Sequence, residues 1–172
     1  MTPHTLHYFC YGSNLHPVRL QERIPSAQLI TTSAIQGYRV LFHKLSDDQS
    51  TKCNLFHTGY EQDQAYGAIY TMDATHKPVL DEYEGEGYAC CDISVTTGQQ
   101  EFHCFTYIAQ DTHITTDILP YHWYKELVLL GARYLNFPEQ YIQHLDTSTT
   151  MPDPNAQRHQ DRMALIARMK DY

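Results

Sequence analysis

The chain has 172 residues, enough for one domain with a proper core and too few for two comfortable ones. Twelve Lys and Arg stand against twenty Asp and Glu, a formal net charge of -8 at pH 7, which argues against binding a phosphate backbone as the main business. No run approaches the roughly 20 apolar residues of a membrane helix, and the opening Met1-Thr2-Pro3-His4 lacks the basic segment and apolar core of a secretory signal, so the cytoplasm is the expected location.

In chain order, Leu6 to Tyr11 is apolar and aromatic, as a buried strand requires, and stops at Gly12, where the backbone can turn sharply. Pro17, Val18, Leu20 and Ile24 predict a short helix that ends before Pro25. Ala27 to Leu45 carries β-branched and aromatic residues around the break Gln36-Gly37, which reads as two strands or one bent strand. After the polar turn Asp47-Asp48-Gln49-Ser50, two more strands follow, Lys52 to His57 and Ala65 to Thr71.

Asp73 is placed to cap a helix running through Ala74, Pro78, Val79, Leu80 and Tyr83 and ending at Glu84-Gly85-Glu86-Gly87. Tyr88 to Thr97 and Glu101 to Ile108 form a hairpin around Thr97-Gly98-Gln99-Gln100. Beyond Pro120 the spacing of Tyr124, Leu127, Val128, Gly131 and Leu135 is helical, and Pro138 starts a second helix through Tyr141, Ile142 and Leu145. Residues 147–172 are a C-terminal unit: a polar loop from Thr147 to Asn155, then an amphipathic helix with Met163, Leu165, Ile166 and Met169 inward. Together these predict a single α+β domain over residues 1–172, with a mostly antiparallel sheet curling towards a barrel.

Two segments bear on chemistry. A Gly12-Ser13-Asn14 turn between a buried strand and a helix leaves backbone N–H groups without partners and adds the positive end of the helix dipole, a setting that suits an anion; taken alone it is more often an ordinary strand-to-helix loop and decides little. In Asp81-Glu82-Tyr83-Glu84-Gly85 three carboxylates crowd a helix C-terminus, where negative charge is disfavoured. Either this is a solvated acidic face, or Glu84 points inward and burial raises its pKa into the range of a working base or acid.

Tyr11-Gly12-Ser13-Asn14-Leu15, Asp81-x-x-Glu84-Gly85 and Pro120-x-x-x-Tyr124-Lys125 before Gly131-Ala132 follow one another in an order and spacing that resembles the gamma-glutamylcyclotransferases. Phe42-His43-Lys44, Ser50-Thr51-Lys52-Cys53-Asn54-Leu55 and the late Asp153-Pro154 with Arg158 look especially like bacterial members, among them the butirosin-type enzyme. The resemblance implies a small mixed barrel flanked by helices, and cyclisation of a gamma-glutamyl group to 5-oxoproline with release of an amine, without a cofactor. It implies Glu84 as general base and acid, Tyr11, Gly12, Ser13, Asn14 and Leu15 around the substrate, and Tyr124 at the site. Tyr121 stands where that pattern more commonly has a serine after the proline, so no serine role carries over there.

Three rival readings stand beside this one. A thiol enzyme would use Cys10, next to the loop, yet a buried strand cysteine is the ordinary state of such a residue. A metal enzyme could be imagined from His4, His7, His57, His103, His113 and His122, but no metal-binding spacing occurs among them, and the five cysteines form no Cys-x-x-Cys pair. The third is a non-catalytic member of the same fold that binds a small ligand or a protein. The aromatics Tyr121, Trp123, Tyr124 and Tyr134 are expected in the core or along a groove.

Overall fold

A computed structural model describes residues 4–172, so the leader reading of Met1, Thr2 and Pro3 lies outside the described residues. Among the described residues seven strands are formed: β1 (Thr5–Cys10), β2 (Gln28–Gln36), β3 (Tyr38–Leu45), β4 (Thr51–His57), β5 (Gln64–Asp73), β6 (Tyr88–Thr97) and β7 (Gln100–Ala109). Five α-helices accompany them among the described residues: α1 (Pro17–Arg23), α2 (Lys77–Glu84), α3 (His122–Tyr134), α4 (Glu139–Asp146) and α5 (Ala156–Lys170). None is long and apolar enough to cross a membrane.

The main sheet has the order β2-β5-β1-β7-β6, antiparallel except for the β1/β7 pair. β1 is central, which is why Phe9 and Cys10 are buried although they face opposite sides of the sheet. The edge strands β2 and β6 curl round to meet: Ser33 Oγ donates to the Thr96 carbonyl at 2.9 Å, and Thr97 Oγ1 to the Thr32 carbonyl at 3.4 Å. The barrel-like curl expected from the strand pattern is therefore closed here by side chains instead of a backbone ladder. β3 and β4 form a separate antiparallel ribbon, a sharp bend at Gly37 having removed β3 from the sheet that β2 joins. Asn54 ties the ribbon back, its Oδ1 accepting from the Ala109 N–H at 2.8 Å.

The helices cover the flanks. Leu127, Val128 and Ala132 of α3 and Leu165, Ile166 and Met169 of α5 are buried in the common core. Met163, expected on the inner face of α5, is exposed: the inward stripe runs through positions 158, 162, 165, 166 and 169, and 163 falls outside it. Asp73 caps only a single 3₁₀ turn, Ala74–His76, through the Thr75 N–H at 2.9 Å, and α2 starts after it with Pro78 in its first turn, where a missing N–H costs nothing. α2 stops at Gly85, whose φ of 70° most side chains resist, and this stop fixes Glu84 as the last helical residue.

Candidate active site

β1 delivers the chain to the loop Tyr11 to Leu15, and the end of α2 brings Glu84 against it. Asn14 Nδ2 donates to Glu84 Oε1 at 2.9 Å and also lies 3.2 Å from the Tyr8 hydroxyl. Arg23 Nη1 donates to Asn14 Oδ1 at 3.2 Å, so both ends of one buried amide are held. Around this contact lies a small cavity of about 30 Å³, lined by Tyr8, Tyr11, Gly12, Ser13, Asn14, Cys53, Glu84, Tyr88, Tyr107 and Tyr124. Of the loop residues singled out in the sequence, Leu15 alone is outside this lining: its side chain is fully buried in the core and its carbonyl accepts from the Tyr70 hydroxyl at 2.8 Å.

Glu84 is inward, and burial raises its pKa above the ordinary carboxylate value; the positive charges of Arg23, Arg19 and Lys44 and the bond from Asn14 oppose the rise without cancelling it. The amides of Gly12, Ser13 and Asn14 donate to no protein acceptor among the described residues, which leaves three successive N–H groups for an anion or a developing oxyanion. The helix dipole invoked for the same place does not contribute as expected. α1 has only seven residues, and His16 Nδ1 accepts from the Val18 N–H at 3.3 Å, capping its first turn. Positive potential comes instead from the Arg19 and Arg23 side chains that α1 presents.

Gly12 lies against the ribbon: a Cβ there would stand 3.0 Å from Cys53 Cβ and 3.6 Å from the Tyr124 hydroxyl. Tyr124, from α3, accepts from the Cys53 N–H at 3.0 Å and lines the cavity beside Glu84. Three further tyrosines, Tyr8, Tyr88 and Tyr107, join Tyr11 and Tyr124 in the lining and were not legible as site residues. Tyr11 donates to the Tyr107 carbonyl, Tyr107 donates to Asp81 Oδ1 at 2.6 Å, and Tyr88 donates to the Cys53 carbonyl. The Tyr8 hydroxyl accepts from Asn14 and keeps its own proton for an acceptor in the cavity. Burial raises the pKa of all five phenols, so they act as neutral hydrogen-bonding groups.

The thiol reading finds no support in the geometry. Cys10 is buried with its Sγ turned to the Asn14 and Ala68 carbonyls, and burial raises its pKa; the Cys53 thiol is pushed up to about 12. A nucleophilic thiolate needs the opposite shift. No group of three or more His, Cys, Asp or Glu among the described residues is arranged to hold a metal ion.

A second cavity of about 250 Å³ opens from the first, with Ser13, Glu84, Tyr88 and Tyr124 common to both. Its remaining wall carries five cations, Arg19 and Arg23 from α1, Lys52 from β4, and Arg158 and Arg162 from α5, against one further carboxylate, Asp48, with Ser46, Tyr83 and Trp123 between them. Five of the chain's twelve Lys and Arg thus line one cavity of an acidic protein. The sequence carried one signal for this, the two i,i+4 arginine pairs at 19/23 and 158/162, each on one helix face.

Residues 64–145 match the AIG2-like family. The chain is 27% identical over 151 residues to the gamma-glutamylcyclotransferase of Mus musculus, spanning 82% of this chain and 77% of that protein. To the gamma-glutamylcyclotransferase of Homo sapiens it is 26% identical over 148 residues, spanning 80% and 76%. A solved structure of a gamma-glutamyl cyclotransferase has the same fold, with a TM-score of 0.83 at 22% identity over 96% of this chain and 99% of that one.

Proposed function

Since the chain resembles the gamma-glutamylcyclotransferases in sequence and has their fold, we propose that it cyclises the gamma-glutamyl group of a small gamma-glutamyl amine or peptide to 5-oxoproline. The observation that carries the proposal is the 2.9 Å contact between Asn14 and Glu84, which joins the two motifs of the resemblance across one cavity.

Glu84 takes a proton from the substrate's α-ammonium. The freed amine attacks the γ-carbonyl carbon of the same residue, closing a five-membered ring and placing negative charge on the carbonyl oxygen. The bond from that carbon to the leaving nitrogen then breaks as Glu84 returns its proton to that nitrogen; the ring nitrogen gives up its second proton to the emptied Glu84 carboxylate, which passes it on, and the released amine departs as its ammonium. No external nucleophile, water or cofactor enters the balance. A raised pKa suits this double duty, because it makes the carboxylate a stronger base than an ordinary glutamate while leaving it able to return the proton. The free amides of Gly12 to Asn14 and the Tyr8 hydroxyl offer donors for the α-carboxylate and the oxyanion, and they fold the glutamyl chain into its reactive shape. Tyr124 orients these groups from the ribbon side. The location proposed for the reaction is the cytoplasm.

The test is a panel of gamma-glutamyl-alanine, gamma-glutamyl-ethylamide and ε-(γ-glutamyl)lysine, with 5-oxoproline quantified by chromatography. Release from at least one is expected. No release from any of them would overturn the proposal and favour a non-catalytic ligand-binding member of the fold.

A further inference from the structure

The inward stripe of α5 changes character along its length. Leu165, Ile166 and Met169 are buried in the core, whereas Arg162 and Arg158, one and two turns earlier on the same stripe, face the outer cavity. α1 presents Arg19 and Arg23 to the same space. Like charges spaced by four residues repel on each helix, and the two helices bring the pairs together.

Two of the five cations are neutralised locally. Lys52 pairs with Asp48 at 2.7 Å, and Arg158 makes two bonds to Asp153, at 2.7 and 2.6 Å. Arg19, Arg23 and Arg162 have no carboxylate within ion-pair distance among the described residues. Arg19 is only 5% exposed and its Nε has no hydrogen-bond partner; the Arg162 Nε is likewise buried and unpartnered. Arg162 lies over the Trp123 ring at 5.3 Å and Arg23 over the Tyr83 ring at 4.7 Å, so each guanidinium is braced by an aromatic face. Buried unpaired donors on fixed cations are costly unless a ligand completes them. Glu84 offsets about one of the three charges, and that offset disappears whenever Glu84 holds a proton. The excess is two positive charges with Glu84 ionised and three with it protonated, in a cavity that shares Ser13, Glu84, Tyr88 and Tyr124 with the inner one.

We infer that the outer cavity is a subsite for a dianionic group on the amine half of the substrate, either two carboxylates or one phosphate monoester, bound by Arg19, Arg23 and Arg162. The planar guanidinium fork matches both groups. The inference rests on the cyclotransferase reading for the bond that is broken, and on the cavity alone for the anion. A cationic amine half, such as a polyamine, meets a net excess of like charge there and is disfavoured.

The experiment has two readouts. The first compares kcat/KM for gamma-glutamyl-glutamate and gamma-glutamyl-phosphoethanolamine with gamma-glutamyl-alanine, gamma-glutamyl-ethylamide and gamma-glutamyl-putrescine. Dianionic conjugates are expected to lead the monoanionic one by about tenfold or more, with the cationic one last, and the better of the two dianions identifies the group. Arg162→Gln should reduce the dianion-to-neutral ratio by about tenfold, and Arg23→Gln gives the same comparison if Arg162→Gln does not fold. The second readout titrates inorganic phosphate and glutarate against the fluorescence of Trp123, the single tryptophan, where a saturable change that weakens in Arg162→Gln is expected. Equal turnover of neutral and dianionic conjugates, with no anion-dependent fluorescence change, overturns the inference and leaves the cyclotransferase reading standing. Anion binding without 5-oxoproline from any conjugate overturns that reading and leaves the anion site.

Discussion

Replacing Glu84 by Gln exchanges one carboxylate oxygen for an amide nitrogen at almost constant size. Asn14 Nδ2, now 2.9 Å from Glu84 Oε1, still finds a carbonyl acceptor, so the contact between loop and helix end is retained. What is lost is the ability to take and return a proton. General acid–base catalysis is worth roughly 10²–10⁴-fold, or about 3–5 kcal/mol of barrier, and kcat/KM for 5-oxoproline release should fall by that factor. Stability should move the other way. Burial raises the folded-state pKa of Glu84 above the value of 4.5 for a free glutamate, so the folded chain holds this proton more tightly than the unfolded one. The contribution from that proton is full below pH 4.5 and is lost as pH rises through the folded value, so at neutral pH the carboxylate is a cost that Gln removes. Thermal melts should place Glu84→Gln at or above the parent at pH 7.5, with the gap closing towards pH 4.5. Turnover within about threefold of the parent would refute the role of Glu84, and a variant several degrees less stable at pH 7.5 would refute its burial as the source of the shift.

Three further outcomes are expected. Asn14→Asp places a second negative charge against Glu84, raising its pKa further, so the acid limb of the pH–kcat/KM profile moves to higher pH; an unmoved limb would show that the two side chains are not in contact. Tyr124→Phe leaves the Cys53 N–H without its acceptor, costing about 1–3 kcal/mol in a denaturant melt and lowering kcat less than Glu84→Gln does, since Tyr124 orients groups and exchanges no proton in the reaction. Iodoacetamide at pH 8 should label exposed Cys90 and spare buried Cys10 and Cys53 with turnover intact; loss of turnover in step with labelling of Cys10 would revive the thiol reading.

Elements whose signals lie within one stretch of chain were legible in advance. The β6–β7 hairpin follows from two β-rich runs around Gly98-Gln99, and its register pairs Thr97 with Gln100 as the two-residue turn demands. Helix α4 follows from Pro138, and the seam at Gly37 from a glycine between two strand-like runs. The errors occur where a neighbour decides. The helix after the loop is too short and too well capped by His16 to act as an anion holder, and Met163 falls off a stripe whose inner edge is set by contact with α1 and α3. Likewise, no local pattern says that β1 pairs with β5 and β7.

For the site, sequence alone determined the residue types that the chemistry needs: a glycine-bearing turn after a buried strand, and a glutamate stopped at a helix end by Gly85. That Glu84 faces Asn14, 70 residues earlier, is a product of packing between α2 and the loop. The charge pattern divides in the same way. A net charge of -8 is a sum over the chain and needs no structure. The cationic cavity draws on residues 19, 23, 52, 158 and 162, and only the docking of α5 beside α1 and α3 makes neighbours of them. Electrostatic interaction depends on distance in space, so an acidic sequence can fold around a basic pocket, and tertiary structure alone decides where that pocket lies.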